Sequence, residues 1–310
     1  MEDLQVMPRI ATWLRAIRVQ QWTKNLVIPA CWFFAVSDPS QRDMAEGWRP
    51  VVLMFGMFAS FCLVSSAFYL LNDVRDREAD RLHPVKRTRP VAAGLVSPAA
   101  AVRTAAVLFV LGFFPSLVMF LRHTDRWPMM AVVLGYSAMQ VAYSWCGLKR
   151  IPYVDVVVIA AGFVLRAMAG TTVLAVRLSP WLLVCAFSLS LFIALCKRRH
   201  EKLVCEESRT ALAGYRLATL DMLVAATAMT TLAVYVAYTL VPETIARYGC
   251  GAKLAFTAVP VAMGLVRYLQ LTYSRADVGR PEKVLLSDRV LWLVLFLYAA
   301  TAAGVLLWRG

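Results

Sequence analysis

The chain has 310 residues, of which 60% are apolar and only 17% are charged, and its mean hydropathy is +0.62. A soluble globular protein of this length rarely has such a composition, whereas an integral membrane protein does. Lys and Arg outnumber Asp and Glu by 33 to 19, which gives a net charge of +14. Because the basic residues lie between apolar runs, they argue against nucleic-acid binding and favour anionic lipid head groups and phosphorylated substrates.

The N-terminal segment predicts a helix on the membrane surface. Met1–Gln5 has no basic leader and no apolar core, so it is not expected to be a cleavable signal peptide. An amphipathic helix at residues 9–22 would lie in the plane of the interface. The two sides of that helix are Ile10, Trp13, Leu14 and Ile17 against Arg9, Arg15 and Arg18.

Nine apolar spans follow, and they predict an all-α integral membrane protein with about nine transmembrane helices. We expect one domain over residues 1–310, with 1–22 as the interfacial helix and 23–308 as the bundle. Lys and Arg are concentrated in alternate connections, which predicts a cytoplasmic N-terminus. The spans are 23–37, 50–71, 100–121, 128–147, 153–175, 180–196, 218–241, 254–273 and 289–308.

The stretch from Asn72 to Asp80 carries the strongest functional signal. Asp73, Asp76 and Asp80 directly follow an apolar span, and a continuous helix would place their carboxylates on one face. Unpaired carboxylates this close repel one another, and a bound cation removes that cost. We therefore predict a magnesium site that carries a diphosphate, with Asn72 beside it. The alternative is a solvated helix end whose carboxylates pair with nearby arginines.

A basic segment follows the aspartates. Pro84 and Pro90 stiffen this loop and prevent the preceding helix from continuing. We predict that His83, Lys86 and Arg89 bind phosphate oxygens while the aspartates bind the metal. The alternative is that these charges only reflect the enrichment of basic residues on the cytoplasmic side.

Three further polar segments are predicted to lie on the same side as the aspartates. They are the connection between spans four and five, the start of span one and the end of span six. Each also has a plainer interpretation, as topology-determining charge, interfacial anchoring or a Lys–Glu pair one turn apart. The predicted substrate contacts are Tyr143, Lys149 and Asp155 in the first segment, Lys24 and Asn25 in the second, and Lys197, Arg198 and Glu201 in the third.

Arg166 lies inside a predicted span. A charged side chain at the centre of a span costs at least about 2.5 kcal/mol, so such residues usually face a cavity or a partner. We predict that Arg166 binds an anionic head group, and the alternative is a structural ion pair.

Other chemistries find little support. The histidines are dispersed without the spacing of a zinc site, and neither a G-x-S-x-G elbow nor a glycine-rich phosphate loop is present. Few charges lie within the spans, which weakens the hypothesis of a transporter. A lipid-binding scaffold without enzymatic activity is a further alternative.

Taken together, these motifs resemble the UbiA-type intramembrane prenyltransferase superfamily, and within it the decaprenyl-phosphate phosphoribosyltransferase branch. The resemblance covers nearly the whole chain in order. It departs from general UbiA enzymes in lacking a second aspartate-rich motif, which favours a single metal–diphosphate site facing a basic pocket. The matching segments are Gln21 to Asn25, Asn72 to Asp80, His83 to Pro90, Tyr143 to Lys149, Asp155, Gly162 to Arg166, Lys197 to Glu201, Arg267-Tyr268 and Leu286 to Arg289.

The resemblance implies a UbiA-like bundle and an Mg²⁺-dependent enzyme in a bacterial inner membrane, with its site on the cytoplasmic side. It implies transfer of 5-phosphoribose from 5-phosphoribosyl 1-diphosphate to a polyprenyl phosphate, which would supply arabinose donors for a cell envelope. The alternative is a prenyltransferase that moves a prenyl group from a prenyl diphosphate to an aromatic acceptor. The sequence is compatible with a monomer or a homo-oligomer.

Overall fold

The computed structural model describes residues 9–83, 85–177, 179–204, 214–274, 284 and 287–307. Pro84 and Leu286, which belong to the sequence motifs, lie outside these residues. Within the described ranges the chain forms helices and their connections, and no strand. The helices are α1 Arg9–Ala16, α2 Val27–Ser37, α3 Arg42–Ala45, α4 Trp48–Arg75, α5 Arg77–Leu82, α6 Pro98–Arg122, α7 Trp127–Trp145, α8 Val154–Leu174, α9 Pro180–Val204, α10 Leu217–Leu240, α11 Pro242–Tyr248, α12 Ala258–Ser274 and α13 Arg289–Leu307.

Among the described residues, seven helical segments are long and apolar enough to cross a membrane, so the predicted count of nine is not confirmed. The two other predicted spans form α2 and α7. Helix α2 has only 11 residues, which makes it about 16 Å long, roughly half the thickness of the hydrocarbon core. Helix α7 has 19 residues, but polar side chains such as Gln140 and Ser144 lower its hydropathy.

Helix α8 is the centre of the bundle, because it packs against α2, α4, α7 and α9. Gly170 allows the close approach of α2. A Cβ atom at this position would lie 2.6 Å from the carbonyl oxygen of Ile28 and 2.9 Å from Cβ of Cys31. Small residues at helix crossings serve this purpose in membrane bundles, where close van der Waals packing drives association.

Two buried clusters meet at α8. One joins α2, α4, α7 and α8, and within it the rings of Phe61 and Tyr136 lie 5.1 Å apart. The other joins α8, α9, α10 and α12, and there Phe192 and Tyr268 meet edge to face at 5.6 Å. The polar site described below lies at one end of both clusters, where α4, α7 and α9 end and α8 and α10 begin.

The surface helix is shorter than predicted. Helix α1 ends at Ala16, and a 3-10 helix over Val19–Leu26 continues the chain. Trp13 and Ile17 pack against a third buried cluster, whereas Ile10 and Leu14 are exposed. The predicted apolar side is therefore divided between the protein core and the surroundings.

Candidate active site

The aspartate row does not lie on one continuous helix. Helix α4 ends at Arg75 and α5 begins at Arg77, with Asp76 between them at φ −90° and ψ 6°. The helix is therefore interrupted by one residue, although backbone hydrogen bonds from Asp76 to Asn72 and from Asp80 to Asp76 continue across the break. Asp73 and Asp80 share Arg89, while Asp76 pairs with Lys149.

Asp73 and Asp80 are joined by one guanidinium. Arg89 Nη1 donates to Asp80 Oδ2 at 2.6 Å and to Asp73 Oδ1 at 3.1 Å. Arg18 Nη2 donates to the same Asp73 oxygen. Asp73 is 2% exposed and Asp80 is 4% exposed, so both carboxylates are buried and depend on these two arginines for neutralisation.

The loop between α5 and α6 fixes the position of Arg89. The backbone N–H of Val85 donates to His83 Nδ1 at 3.1 Å, which closes the turn at the start of the loop. Arg81 Nε donates to the carbonyl oxygen of Ala92 at 3.2 Å. Val91 belongs to the buried cluster beneath α1 and α4, so the residues that follow Arg89 are anchored. His83 thus supports the loop, as well as being a predicted phosphate ligand.

Arg18 is a site residue that sequence reasoning missed. Its φ of 55° and ψ of 51° place it in the left-handed region, where the chain turns out of α1. Ser66 stabilises this turn, because its hydroxyl donates to the carbonyl oxygen of Ile17 at 2.8 Å and accepts from Trp22 Nε1 at 3.0 Å. The contact with Asp73 spans 55 positions, and helical periodicity cannot predict a contact over that distance.

Asp76 connects α4 with the short turn between α7 and α8. Lys149 Nζ donates to both carboxylate oxygens of Asp76 at 2.7 Å. Arg75 reaches the same turn, since its Nη1 donates to the carbonyl oxygen of Ser144 and its guanidinium lies 5.5 Å from the Trp145 ring centre. The predicted neighbourhood of the aspartates and Lys149 is thus present, and Arg75 is a further member.

A second set of charged residues lies at the start of α8, and we call Asp155, Arg198, Glu201 and Tyr215 the Asp155 cluster. Arg198 Nε donates to Asp155 Oδ2 at 2.6 Å, and Arg198 Nη1 donates to Glu201. The Tyr215 hydroxyl donates to Asp155 Oδ1. Tyr215 is another residue that sequence reasoning missed. Asp155 is therefore paired with protein donors on both oxygens and does not join the Asp73 carboxylates.

Arg166 lies in the middle of α8. It follows Asp155 by about 16 Å along α8. Its Nε donates to Asn25 Oδ1 at 2.7 Å and its Nη2 donates to the Tyr136 hydroxyl at 2.8 Å. The guanidinium also lies 4.9 Å from the Tyr136 ring centre and 5.3 Å from that of Phe163. The hydrogen-bond partners of Arg166 are thus Asn25 and Tyr136, and the role of Arg166 and Asn25 in substrate binding stays a prediction.

The remaining predicted residues are half-buried around the same end of the bundle. Lys24 lies in the 3-10 helix after α1, and Lys86 begins the 3-10 turn that precedes Arg89. Tyr143 lies near the end of α7, close enough to Arg198 to interact electrostatically, and Lys197 precedes Arg198 on α9. Their role in substrate binding stays a prediction.

The residues of the aspartate row fit magnesium in kind. Their carboxylates, with the amide oxygen of Asn72, are the hard oxygen ligands that this ion prefers. Asn72 Oδ1 is buried without a hydrogen-bond partner, so an acceptor is present that a cation would satisfy. Across the described ranges, no three Asp, Glu, His or Cys side chains are already grouped as a metal site. Asp73 and Asp80 meet at Arg89, whereas Asp76 pairs with Lys149.

The pKa of Arg89 is affected by its burial and by the charged groups around it. Burial lowers the pKa of its guanidinium from the ordinary value, and the neighbouring charge of Arg18 lowers it further, against the opposing effect of Asp73 and Asp80. Two cations held against one carboxylate oxygen repel each other. An anion that accepted hydrogen bonds from both would relieve this repulsion.

The UbiA prenyltransferase family matches residues 26–287 of the chain. Decaprenyl-phosphate phosphoribosyltransferase of Corynebacterium glutamicum is 34% identical over 284 residues, covering 90% of this chain and 81% of that protein. The protein of the same name from Mycobacterium tuberculosis is 34% identical over an alignment of 311 positions, which covers 98% of each chain. The fold matches a UbiA homologue from Archaeoglobus fulgidus bound to GPP and Mg²⁺ with a TM-score of 0.69 at 17% identity, covering 95% of this chain and 99% of that one. The chain therefore belongs to the UbiA prenyltransferase family, as its sequence motifs predicted.

Proposed function

We propose that the protein transfers 5-phosphoribose from 5-phosphoribosyl 1-diphosphate to a polyprenyl phosphate and releases diphosphate. Its similarity over most of the chain to proteins named decaprenyl-phosphate phosphoribosyltransferase supports this reaction. The polar site supports it as well, because it combines buried carboxylates with several cations at one end of an apolar bundle. A donor with two phosphorylated ends and an anionic lipid acceptor both require such cations.

The reaction forms a bond between an oxygen of the lipid phosphate and C1 of the ribose, and it breaks the bond between C1 and the diphosphate oxygen. The lipid phosphate is already anionic at neutral pH, so the reaction needs no strong general base. The attacking oxygen approaches C1 opposite the diphosphate, which inverts the configuration at that carbon. Positive charge develops on the ribose ring in the transition state, and nearby carboxylates stabilise it.

In this proposal Asp73, Asp76, Asp80 and Asn72 hold magnesium, which when bound neutralises the charge of the leaving diphosphate. The donor set described above is the evidence for this assignment. Arg89 and Arg18 then turn from the carboxylates to the phosphate oxygens.

Other cations of the site hold the remaining phosphates. Lys149 lies against Asp76, Lys86 begins the 3-10 turn before Arg89, and Lys197 precedes Arg198 on α9, so we assign these lysines to the phosphates. We place this site on the cytoplasmic face of a bacterial inner membrane, where a water-soluble sugar diphosphate is available. The distribution of basic residues in the connections supports that orientation. The lipid tail lies between helices, open to the bilayer.

The observation that carries the proposal is the pair of buried carboxylates, Asp73 and Asp80, that share Arg89 at the end of a membrane helix. The test uses the purified protein with Mg²⁺, labelled phosphoribosyl diphosphate and polyprenyl phosphate in detergent or nanodiscs. We expect a labelled phosphoribosylated lipid. Transfer of a prenyl group from a prenyl diphosphate to an aromatic acceptor, with no labelled phosphoribosyl lipid, would reverse this assignment.

A further inference from the structure

Arg18 and Arg89 neutralise Asp73 and Asp80 inside the protein. Arg89 Nη1 lies 3.1 Å from Asp73 Oδ1 and 2.6 Å from Asp80 Oδ2, and Arg18 adds a second guanidinium on the same Asp73 oxygen. Two carboxylates therefore face two guanidinium groups, and the pairs are balanced in charge. The position that a divalent cation requires is already occupied by the protein's own cations.

A divalent cation alone gains little from this arrangement. To reach the oxygens of Asp73 and Asp80 it would have to separate both arginines from buried carboxylates. The arginine side chains are only 25% and 26% exposed, so water would solvate them incompletely after they were displaced. Breaking a partly buried ion pair without giving the charge a new partner is costly.

A diphosphate changes this balance because it gives the displaced arginines a new partner. Guanidinium groups bind phosphate oxygens through paired, charge-assisted hydrogen bonds, which compensate for the lost carboxylates. The carboxylates and the buried Asn72 oxygen are then available to the metal. Each exchange favours the other, so metal and diphosphate bind with positive coupling.

We infer that Arg18 and Arg89 are specificity-determining residues that release Asp73 and Asp80 to a divalent cation only when a diphosphate arrives with it. This inference rests on the proposed function, because it concerns the donor of that reaction. Its consequence is that the protein selects the metal–diphosphate complex and discriminates against the free metal ion. The arginines thereby keep divalent cations that are not bound to a diphosphate out of the site.

The test measures Mn²⁺ binding by electron paramagnetic resonance, with and without pyrophosphate, on the full-length protein in nanodiscs. Protein-free Mn²⁺–pyrophosphate solutions provide the correction for binding in solution. For the unmodified protein we expect the Mn²⁺ affinity to rise about tenfold or more when pyrophosphate is present, within the usual range of coupling between sites. Tight binding of Mn²⁺ alone, unchanged by pyrophosphate, would overturn the inference.

Arg89→Gln sharpens the test because it removes the guanidinium that bridges the two carboxylates. We expect free Mn²⁺ to bind about tenfold more tightly to this variant, while the gain from pyrophosphate shrinks. Arg18→Gln should act in the same direction and serves if the first variant does not fold. The matched control is Arg87→Gln, an exposed arginine in the same loop, which should behave as the unmodified protein does.

Equal or weaker binding of free Mn²⁺ to both arginine variants would contradict the inference. Since these measurements involve no turnover, they are separable from the transfer assay. If the protein transfers phosphoribose but its Mn²⁺ affinity does not depend on pyrophosphate, only this inference is overturned. A protein that shows coupling but makes no phosphoribosyl lipid would overturn only the proposed function.

Discussion

The Asp73–Asp80 pair and the Asp155 cluster use similar residues in opposite ways. At the first, two arginines compete for one oxygen of Asp73, and Arg89 is divided between two carboxylates. At the second, each oxygen of Asp155 has its own donor, one from Arg198 and one from Tyr215. The first arrangement leaves partners that can be exchanged, whereas the second has every partner assigned.

The arginines of the two sets also differ in how deeply they are buried. The side chains of Arg18 and Arg89 are 25% and 26% exposed, so ligands can approach them from solution. The side chain of Arg198 is 4% exposed. Its partners are Asp155 at the start of α8 and Glu201 near the end of α9. We therefore interpret the Asp73–Asp80 pair as the part of the site that binds substrate. We interpret the Asp155 cluster as the part that positions the helices around that pair.

Among the variants of the Asp73–Asp80 pair and the Asp155 cluster, Asp73→Asn should reduce the transfer rate most. It removes a charge that the metal–diphosphate requires, and we expect the transfer rate to fall by roughly 10³-fold. The fold should persist, because Asn keeps the shape of the side chain and its amide oxygen can still accept hydrogen bonds from Arg18 and Arg89. Initial rates of lipid product and thermal unfolding in detergent measure the two effects separately.

The control for Asp73→Asn is Glu78→Gln in the neighbouring helix α5. The Glu78 side chain is 76% exposed and pairs with Arg81 at 3.2 Å, so the variant removes one negative charge nearby without entering the site. Its transfer rate should stay close to that of the unmodified protein. Normal transfer by Asp73→Asn itself would remove the metal proposal.

Arg198→Gln should chiefly reduce stability. It leaves Asp155 and Glu201 without their shared cation, and breaking a buried ion pair in this way costs about 3–5 kcal/mol. Thermal unfolding in detergent measures the loss, with Arg216→Gln as the control, because Arg216 is exposed beside the same cluster. An Arg198→Gln protein of normal stability that no longer transfers phosphoribose would instead make Arg198 a substrate ligand, as the sequence predicted.

Tyr215→Phe should produce a smaller loss of stability, about 1–2 kcal/mol, because it leaves one oxygen of Asp155 and the backbone N–H of Tyr153 without a partner. The control is Tyr273→Phe, which removes a comparable hydrogen bond to Asp221 from an exposed tyrosine. Equal stability losses in the two variants would contradict the assigned role of the Asp155 cluster.

The alkaline pH dependence offers an independent measurement on Tyr215. Burial raises the pKa of its phenol, and the hydrogen bond to Asp155 raises it further. A raised pKa in the folded state contributes stability that is complete below the ordinary phenol pKa of about 10 and declines as the pH rises above it. Tyr215→Phe should therefore flatten the fall in stability at alkaline pH.

Local sequence patterns predicted the parts of the site that depend on neighbouring residues. Asn72 to Arg89 combines a helix end, an acidic row and a proline-bounded loop, and the structure brings Asp73, Asp80 and Arg89 together. The break at Asp76 could not be predicted, because the spacing of the aspartates suits a continuous helix. That difference decides which carboxylates share a cation.

Local sequence patterns could not predict contacts between residues that are distant in the chain. Arg18 meets Asp73 across 55 positions, and Tyr215 meets Asp155 across 60. Their geometry depends on how α1 packs on α4 and how α10 begins beside α8. The count of membrane helices differs from the prediction because α2 has only 11 residues, and because polar residues such as Gln140 and Ser144 lower the hydropathy of α7.

Arg166→Gln should have the smallest effect on donor binding, although the sequence predicted a phosphate contact there. Its Cα atom lies about 16 Å along α8 from that of Asp155, and its guanidinium is hydrogen-bonded to Asn25 and Tyr136. We expect the KM for phosphoribosyl diphosphate to change by no more than about twofold, whereas Arg89→Gln should raise it about tenfold or more in the same assay. Because Gln can still donate to the Asn25 oxygen, the variant keeps a polar link between α8 and the start of α2. An equal rise in KM for both variants would mean that donor phosphate reaches Arg166, and the division between substrate-binding and structural charges would have to be redrawn around α8.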